Sequence, residues 1–310
     1  MKQIPIWIDC DPGTDDAAAL QVAHRLPELN IVGVSAVAGN VCLEKTLRNA
    51  LALREFMGAE FPVYAGAEKP WRRAPLDSSE FHGKEGLGPA ALPLPTKQAE
   101  KELMWDALYA AACRYEDELE LVTLGPLSSL ATAIAKYPDL PQKLRRVSMM
   151  GGAAVGGNCT PCAEYNIYAD PDAAQVVFRS GCRLVMCGLD VTLKAYLTEQ
   201  ELDTIAASGD AGGIFMRDSS RDILKINVRA GSGGWCLHDA VPIWHLVAPE
   251  LFTEREAGVY VETQSELTLG KTVTDLYSDF KFPQKNASVV LDLDRAEFAR
   301  RMMTMFGVRD

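Results

Sequence analysis

The chain has 310 residues, 48% hydrophobic and 24% charged, with a formal net charge of −11. That length buries a large core and suits a globular enzyme, while the acidic balance argues against a polyanionic partner, since nucleic-acid binding relies on Lys and Arg neutralising phosphates. No apolar stretch approaches membrane-spanning length, so neither nucleic acid nor membrane is expected as a partner.

The apolar run after Lys2 is short and broken by Asp9, which does not read as a secretory signal. Eight cysteines are scattered over a chain too long to need disulfide staples, so they are expected as reduced thiols in a cytoplasmic protein. Cys159-Thr160-Pro161-Cys162 is formally a CxxC. No second CxxC or nearby His completes a zinc set, so the pair reads as incidental small residues.

The stretch from Ile6 to Leu20 organises the chain: an apolar run stops at Asp9-Cys10-Asp11-Pro12-Gly13-Thr14-Asp15-Asp16, and an alanine run follows at once. This predicts strand, tight loop and helix, with Asp9 and Asp11 at the pocket lip and Asp15 and Asp16 in the first helical turn. Carboxylates so crowded raise each other's pKa unless a cation neutralises them, and an all-oxygen set suits Ca²⁺ or Mg²⁺. Helix capping accounts for one or two of the four, but not for Asp9 and Asp11 alternating about Cys10.

Beyond this loop a helix is predicted over 17–26, a strand over 30–37 closing on Ala38-Gly39-Asn40, a helix over 41–57 and a brief strand at Pro62-Val63-Tyr64. Such alternation indicates an α/β fold: a single domain, 1–310, with a mostly parallel central sheet flanked by helices. Residues 66–96 form a long irregular loop with His82 at its centre, either reaching the site or a solvated loop histidine. Strands follow over 119–124, 146–150 and 183–187, with a helix over 128–136. Residues 153–169 read as irregular but carry Asn158, Glu164 and Asn166, a polar group suited to a sugar or polyol. Asp170-Pro171 starts a helix, and Thr198-Glu199-Gln200-Glu201 is a capping box. A single amphipathic helix is expected over 214–226. His238-Asp239 stands at a further helix entrance, where Asp239 as a cap and His238 as a packed ring are the bland alternatives. Strands over 258–263 and 288–292 and a helix over 294–306 close the chain.

These residues resemble the nucleoside N-ribohydrolases, the inosine-uridine preferring nucleoside hydrolase family. The resemblance runs through Asp9 to Asp16, Ala38-Gly39-Asn40, His82-Gly83, Leu124-Gly125-Pro126-Leu127, Met150-Gly151-Gly152, the segment from Asn158 to Asn166, and His238-Asp239, in the family's order. It implies a Rossmann-like fold and Ca²⁺-dependent hydrolysis of the N-glycosidic bond of ribonucleosides, in a homodimer or homotetramer. By the same resemblance Asp11, Asp16, Asp239 and the main-chain carbonyl of Leu124 would hold Ca²⁺. Asp15, Asn166 and Asp239 would grip the ribose 2′- and 3′-hydroxyls, and Asn158 and Glu164 the 5′ side. Asn40 would orient the attacking water and Asp11 take its proton. His238, expected to titrate near working pH, is a suitable acid for the leaving base. Its presence where some members carry Trp points to a site accepting inosine and uridine or preferring pyrimidine nucleosides. Two alternatives stay open: a phosphohydrolase of the haloacid dehalogenase type, and a non-catalytic calcium-dependent nucleoside-binding protein.

Overall fold

A computed structural model describes residues 2–277 and 284–309. The strands are β1 (Ile4–Cys10), β2 (Leu29–Ala36), β3 (Val63–Ala65), β4 (Glu120–Thr123), β5 (Arg146–Met150), β6 (Leu184–Cys187), β7 (Tyr196–Leu197), β8 (Trp235–Cys236), β9 (Phe252–Val261), β10 (Thr272–Asp275) and β11 (Ala287–Leu293). Nine of them form one sheet in the order β10-β9-β11-β6-β5-β4-β1-β2-β3, and β7 pairs with β8 in a separate ribbon. Every pairing from β3 across to β11 is parallel, whereas β9 runs antiparallel to both β11 and β10. The expected α/β architecture is therefore present, with a mostly parallel sheet flanked by helices.

Strand β1 shows why the sheet is covered on both faces. Ile6, Ile8 and Cys10 join the core under helix Thr14–Arg25, while Trp7, alternating with them, joins a second core under helices Met104–Arg114, Ser128–Lys136 and Pro171–Phe178. The side-chain period of two sends alternate residues to opposite faces, so a strand buried on both reads as one apolar run.

Three expectations are corrected here. The helix expected over 214–226 is two, Ala211–Ser219 and Arg221–Arg229. Ser219 and Ser220 bond back to the carbonyls of Met216 and Arg217 at 3.1 Å each, and such back-bonding bends helices. The irregular stretch 153–169 ends in a short helix, Tyr165–Ala169, capped by the Glu164 carboxylate. Strand β9 begins at Phe252 rather than Gly258, because Thr253 to Glu256 are exposed and are held by ladder bonds to β11, which leave no apolar signature. Among the described residues, no helix is long and apolar enough to cross a membrane.

Candidate active site

Between β1 and β4 the strand order reverses, and open α/β sheets bind ligands in the crevice outside the carboxyl ends of their strands at such a point. Asp11, Asp15 and Asp16 enter this crevice from the turn and first helical residues after β1. Asp239 enters from the start of helix Ala240–Val247. All four are buried, with Asp15 the most accessible at 7%. Oxygens of Asp15, Asp16 and Asp239 lie within 4.8 Å of one another; Asp11 is outside that trio. Asp239 occupies the N-cap position yet makes no capping bond, so its carboxylate faces the pocket instead of the helix. Asp16 combines both roles, accepting from the N–H of Gly13 at 2.8 Å, that of Asp11 at 3.1 Å and Asn40 Nδ2 at 3.2 Å.

Burial raises all four carboxyls above the ordinary carboxylate range. Like charge adds to it: Asp16 acts on Asp11 and Asp15, and Asp15 and Asp16 act on Asp239, leaving Asp15 at about 7. Groups so placed stay partly protonated unless a cation balances them. Their donors are all oxygen, which suits a hard divalent ion.

Asp11 is held by close backbone approach. The Asn40 N–H donates to its Oδ2 at 2.7 Å, and Asn40 Nδ2 donates to its main-chain oxygen at 3.0 Å. A Cβ at Gly39 would lie 2.0 Å from Asp11 Oδ2 and one at Gly125 2.6 Å from Oδ1, so both loops close on this carboxylate only as glycine. Beside it the Leu124 carbonyl accepts from Asn166 Nδ2 at 2.7 Å, which leaves its second lone pair for another partner.

Asp9 departs from the expected place at the pocket lip. Its side chain lies inside the sheet, where Ser35 Oγ donates to Oδ1 at 2.5 Å, and burial pushes its carboxyl to about 7. It shares the Trp7 face of β1 and sits within a chain of side chains in which Trp7 Nε1 donates to Ser35.

The polar group after β5 is only partly drawn inward. Asn166 is buried, and so is Glu164, whose carboxylate accepts the N–H groups of Gly152, Asn166 and Ile167 at 2.9, 2.9 and 3.2 Å. Asn158 is exposed, and its Oδ1 accepts from the Tyr165 N–H at 2.9 Å. Cys159 and Cys162 in the same loop are free thiols.

Both histidines reach the crevice mouth. His82 ends the short helix Ser79–His82, and its Nδ1 accepts the Thr14 N–H at 3.2 Å, 3.9 Å from Asp15 Oδ1. An Nδ1 that accepts an N–H leaves the ring's proton on Nε2. His238 Nδ1 lies 2.8 Å from the hydroxyl of buried Thr192. Burial takes both imidazoles down to about 4, and charge on His238 further disfavours charge on His82. His238 does not titrate near working pH as expected from its type; desolvation keeps it neutral.

Sequence reasoning missed Thr192, the Thr14 N–H and the Tyr165 hydroxyl, which donates to the Gly39 carbonyl at 2.9 Å. No local pattern marks them, because each meets its partner through tertiary packing.

The family profile for inosine-uridine preferring nucleoside hydrolases matches residues 6–300. The non-specific ribonucleoside hydrolase RihC of Escherichia coli is 42% identical over 294 residues, 94% of each chain. A purine-preferring ribonucleoside hydrolase from Gardnerella vaginalis superposes with a TM-score of 0.91 at 31% identity, covering 98% of each chain. The plant nucleoside hydrolase PpNRh1 gives a TM-score of 0.91 at 28% identity over 99% of each. Buried carboxylates at the strand-order reversal, the order of motifs along the chain and similarity over nearly its whole length agree: the chain belongs to the inosine-uridine preferring nucleoside hydrolase family.

Proposed function

We propose that this ribonucleoside hydrolase cleaves the bond between ribose and base in free ribonucleosides with the help of bound Ca²⁺, on a single domain spanning 1–310. The observation that carries the reading is the set of four buried carboxylates at the β1/β4 crevice. Asp11, Asp16, Asp239 and the Leu124 carbonyl hold the ion. When bound, Ca²⁺ supplies the positive charge that lets these carboxylates ionise and lowers the pKa of nearby water.

Asp11 accepts the proton of the attacking water, and Asn40, bonded to both Asp11 and Asp16, orients that water. Asp15, Asn166 and Asp239 take the 2′- and 3′-hydroxyls, and Asn158 and Glu164 the 5′-hydroxyl. Glu164 already accepts three backbone N–H groups, and a carboxylate has roughly four acceptor positions, so one remains. Cleavage passes through an oxocarbenium-like state, whose positive charge the surrounding carboxylates stabilise.

On the other side of the sugar, neutral His238 donates a hydrogen bond to the departing base, with His82 beside it. A neutral imidazole in a desolvated site acts as such a donor. His238 and the 42% identity to a non-specific relative support a site that accepts inosine and uridine, with a lean to pyrimidine nucleosides as the narrower form. The working form is a cytoplasmic homodimer or homotetramer.

A panel of inosine, adenosine, guanosine, uridine and cytidine, read by release of free base, tests this directly. Release from inosine and uridine that stops on chelation and returns with Ca²⁺ is the expected result. Phosphate release from sugar phosphates, or nucleoside binding without turnover, overturns it in favour of the two alternatives.

A further inference from the structure

The loop that leaves β5 is Gly151-Gly152-Ala153-Ala154-Val155-Gly156-Gly157, seven residues whose own side chains offer no hydrogen-bonding group. Such a segment loses much conformational entropy on ordering and has nothing with which to hold itself. Its backbone is nevertheless bonded at successive positions by side chains from elsewhere. Asp190 accepts the N–H groups of Ala154 and Val155 at 2.7 and 3.1 Å. Lys271 Nζ donates to the carbonyls of Ala153 and Ala154 at 2.9 and 3.0 Å. Thr272 Oγ1 accepts the Ala153 N–H at 2.8 Å and donates to its carbonyl at 2.7 Å. The opposite end of the loop is fastened to the pocket, since the Gly152 N–H donates to Glu164.

Asp190 and Lys271 thus grip one short segment from two sides, one from helix Leu189–Thr192 and the other from the residue preceding β10. All four of these bonds are to charged groups, which are the stronger kind. Asn158 follows the gripped residues after only Gly156 and Gly157. Resting on the reading that Asn158 and Glu164 meet the 5′ end of the sugar, we propose that Asp190 and Lys271 are positioning residues for recognition of the ribose 5′-hydroxyl. They act through the loop and touch neither the diol nor the base. The clamp sets how strongly the enzyme separates a nucleoside with a 5′-hydroxyl from its 5′-deoxy counterpart.

The test compares uridine with 5′-deoxyuridine in the calcium-loaded enzyme. In Lys271→Met the KM for uridine rises about tenfold, the scale of one lost charge-assisted hydrogen bond, while that for 5′-deoxyuridine stays within about twofold. Lys271→Arg, which keeps a cationic donor, retains the discrimination, and Asp190→Asn lies between. Amide exchange at 153–156, followed in the same variants, shows whether the loop has been released and whether the rest of the protein is folded. A released loop with unchanged discrimination, or equal losses on both substrates, overturns the proposal. A wild-type enzyme that does not distinguish the two nucleosides overturns the 5′-side reading itself, whatever the clamp variants do.

Discussion

On the carboxylate side of the crevice, Asp11, Asp16 and Asn40 are tied together by bonds spanning no more than 29 residues of chain, and each donor is a backbone N–H or a side-chain amide close to the turn. On the histidine side, His82 leans on Thr14 across 68 residues and His238 on Thr192 across 46. The Asp11–Asp16–Asn40 part of the first side is assembled by one turn and the strand beside it, with Asp239 joining it from helix Ala240–Val247; the second exists only once separate elements have packed. Substitutions on the carboxylate side should therefore remove the chemistry outright, and those on the histidine side should grade it.

The sharpest way to break this contrast is Asp11→Ala, which we expect to lower kcat by about 10³-fold or more with the fold intact, the scale of losing a general base. A smaller loss, measured at saturating Ca²⁺ with an unchanged circular dichroism spectrum, would move the proton-accepting role elsewhere. His238→Ala comes next, slowing inosine and uridine by about 10²-fold while barely affecting a riboside with a good leaving group. Equal losses on both would take His238 out of leaving-group assistance.

Thr192→Val keeps the shape of the side chain and removes the hydroxyl that meets His238 Nδ1. A loss of about tenfold on natural nucleosides is expected, restored by Thr192→Ser, with kcat affected more than KM. If the serine variant is no better than valine, the bond to the ring is irrelevant and only packing matters.

The smallest effect concerns pH. Burial holds His82 and His238 at about 4, below the ordinary 6.5, so protonating either ring opposes the folded state. A base depressed in this way contributes stability that is complete above about pH 6.5 and lost as pH falls toward about 4. The buried carboxyls, raised above their ordinary range, pull the other way over the same window, so the histidine part is read as a difference: the urea midpoint of His82→Gln should gain on that of the wild type as pH falls from about 6.5 toward about 4. The pH profile of kcat/KM should show no inflection near 6.5 that is lost in His82→Gln; one that is lost would mean that this histidine is charged in the free enzyme.

How much of this was readable beforehand follows the same division. The Asp9 to Asp16 turn announced itself, because clustered carboxylates between a strand and a helix have few uses, and Asp15 and Asp16 do lie together, with Asp11 buried beside them and outside their group. Asp239 lies with Asp15 and Asp16 in the structure, and its freedom from the helix cap was not visible in sequence. Asp9 went the other way: two residues before Asp11 it looked equivalent, and its contact with Ser35 of β2 took it into the interior. The break at Ser219-Ser220 and the exposed start of β9 were hidden because apolar periodicity records burial and not hydrogen bonding.

By itself, the sequence determined the alternation of strands and helices, the acidic turn and the order of the polar motifs, since these depend on neighbours a few residues apart. Tertiary structure alone decided which carboxylates share a cavity, that both imidazoles are neutral, and that Asp190 and Lys271 secure a loop unable to secure itself. Those outcomes rest on desolvation and on bonds between distant segments, and neither quantity exists until the sheet has formed and its helices have closed over it.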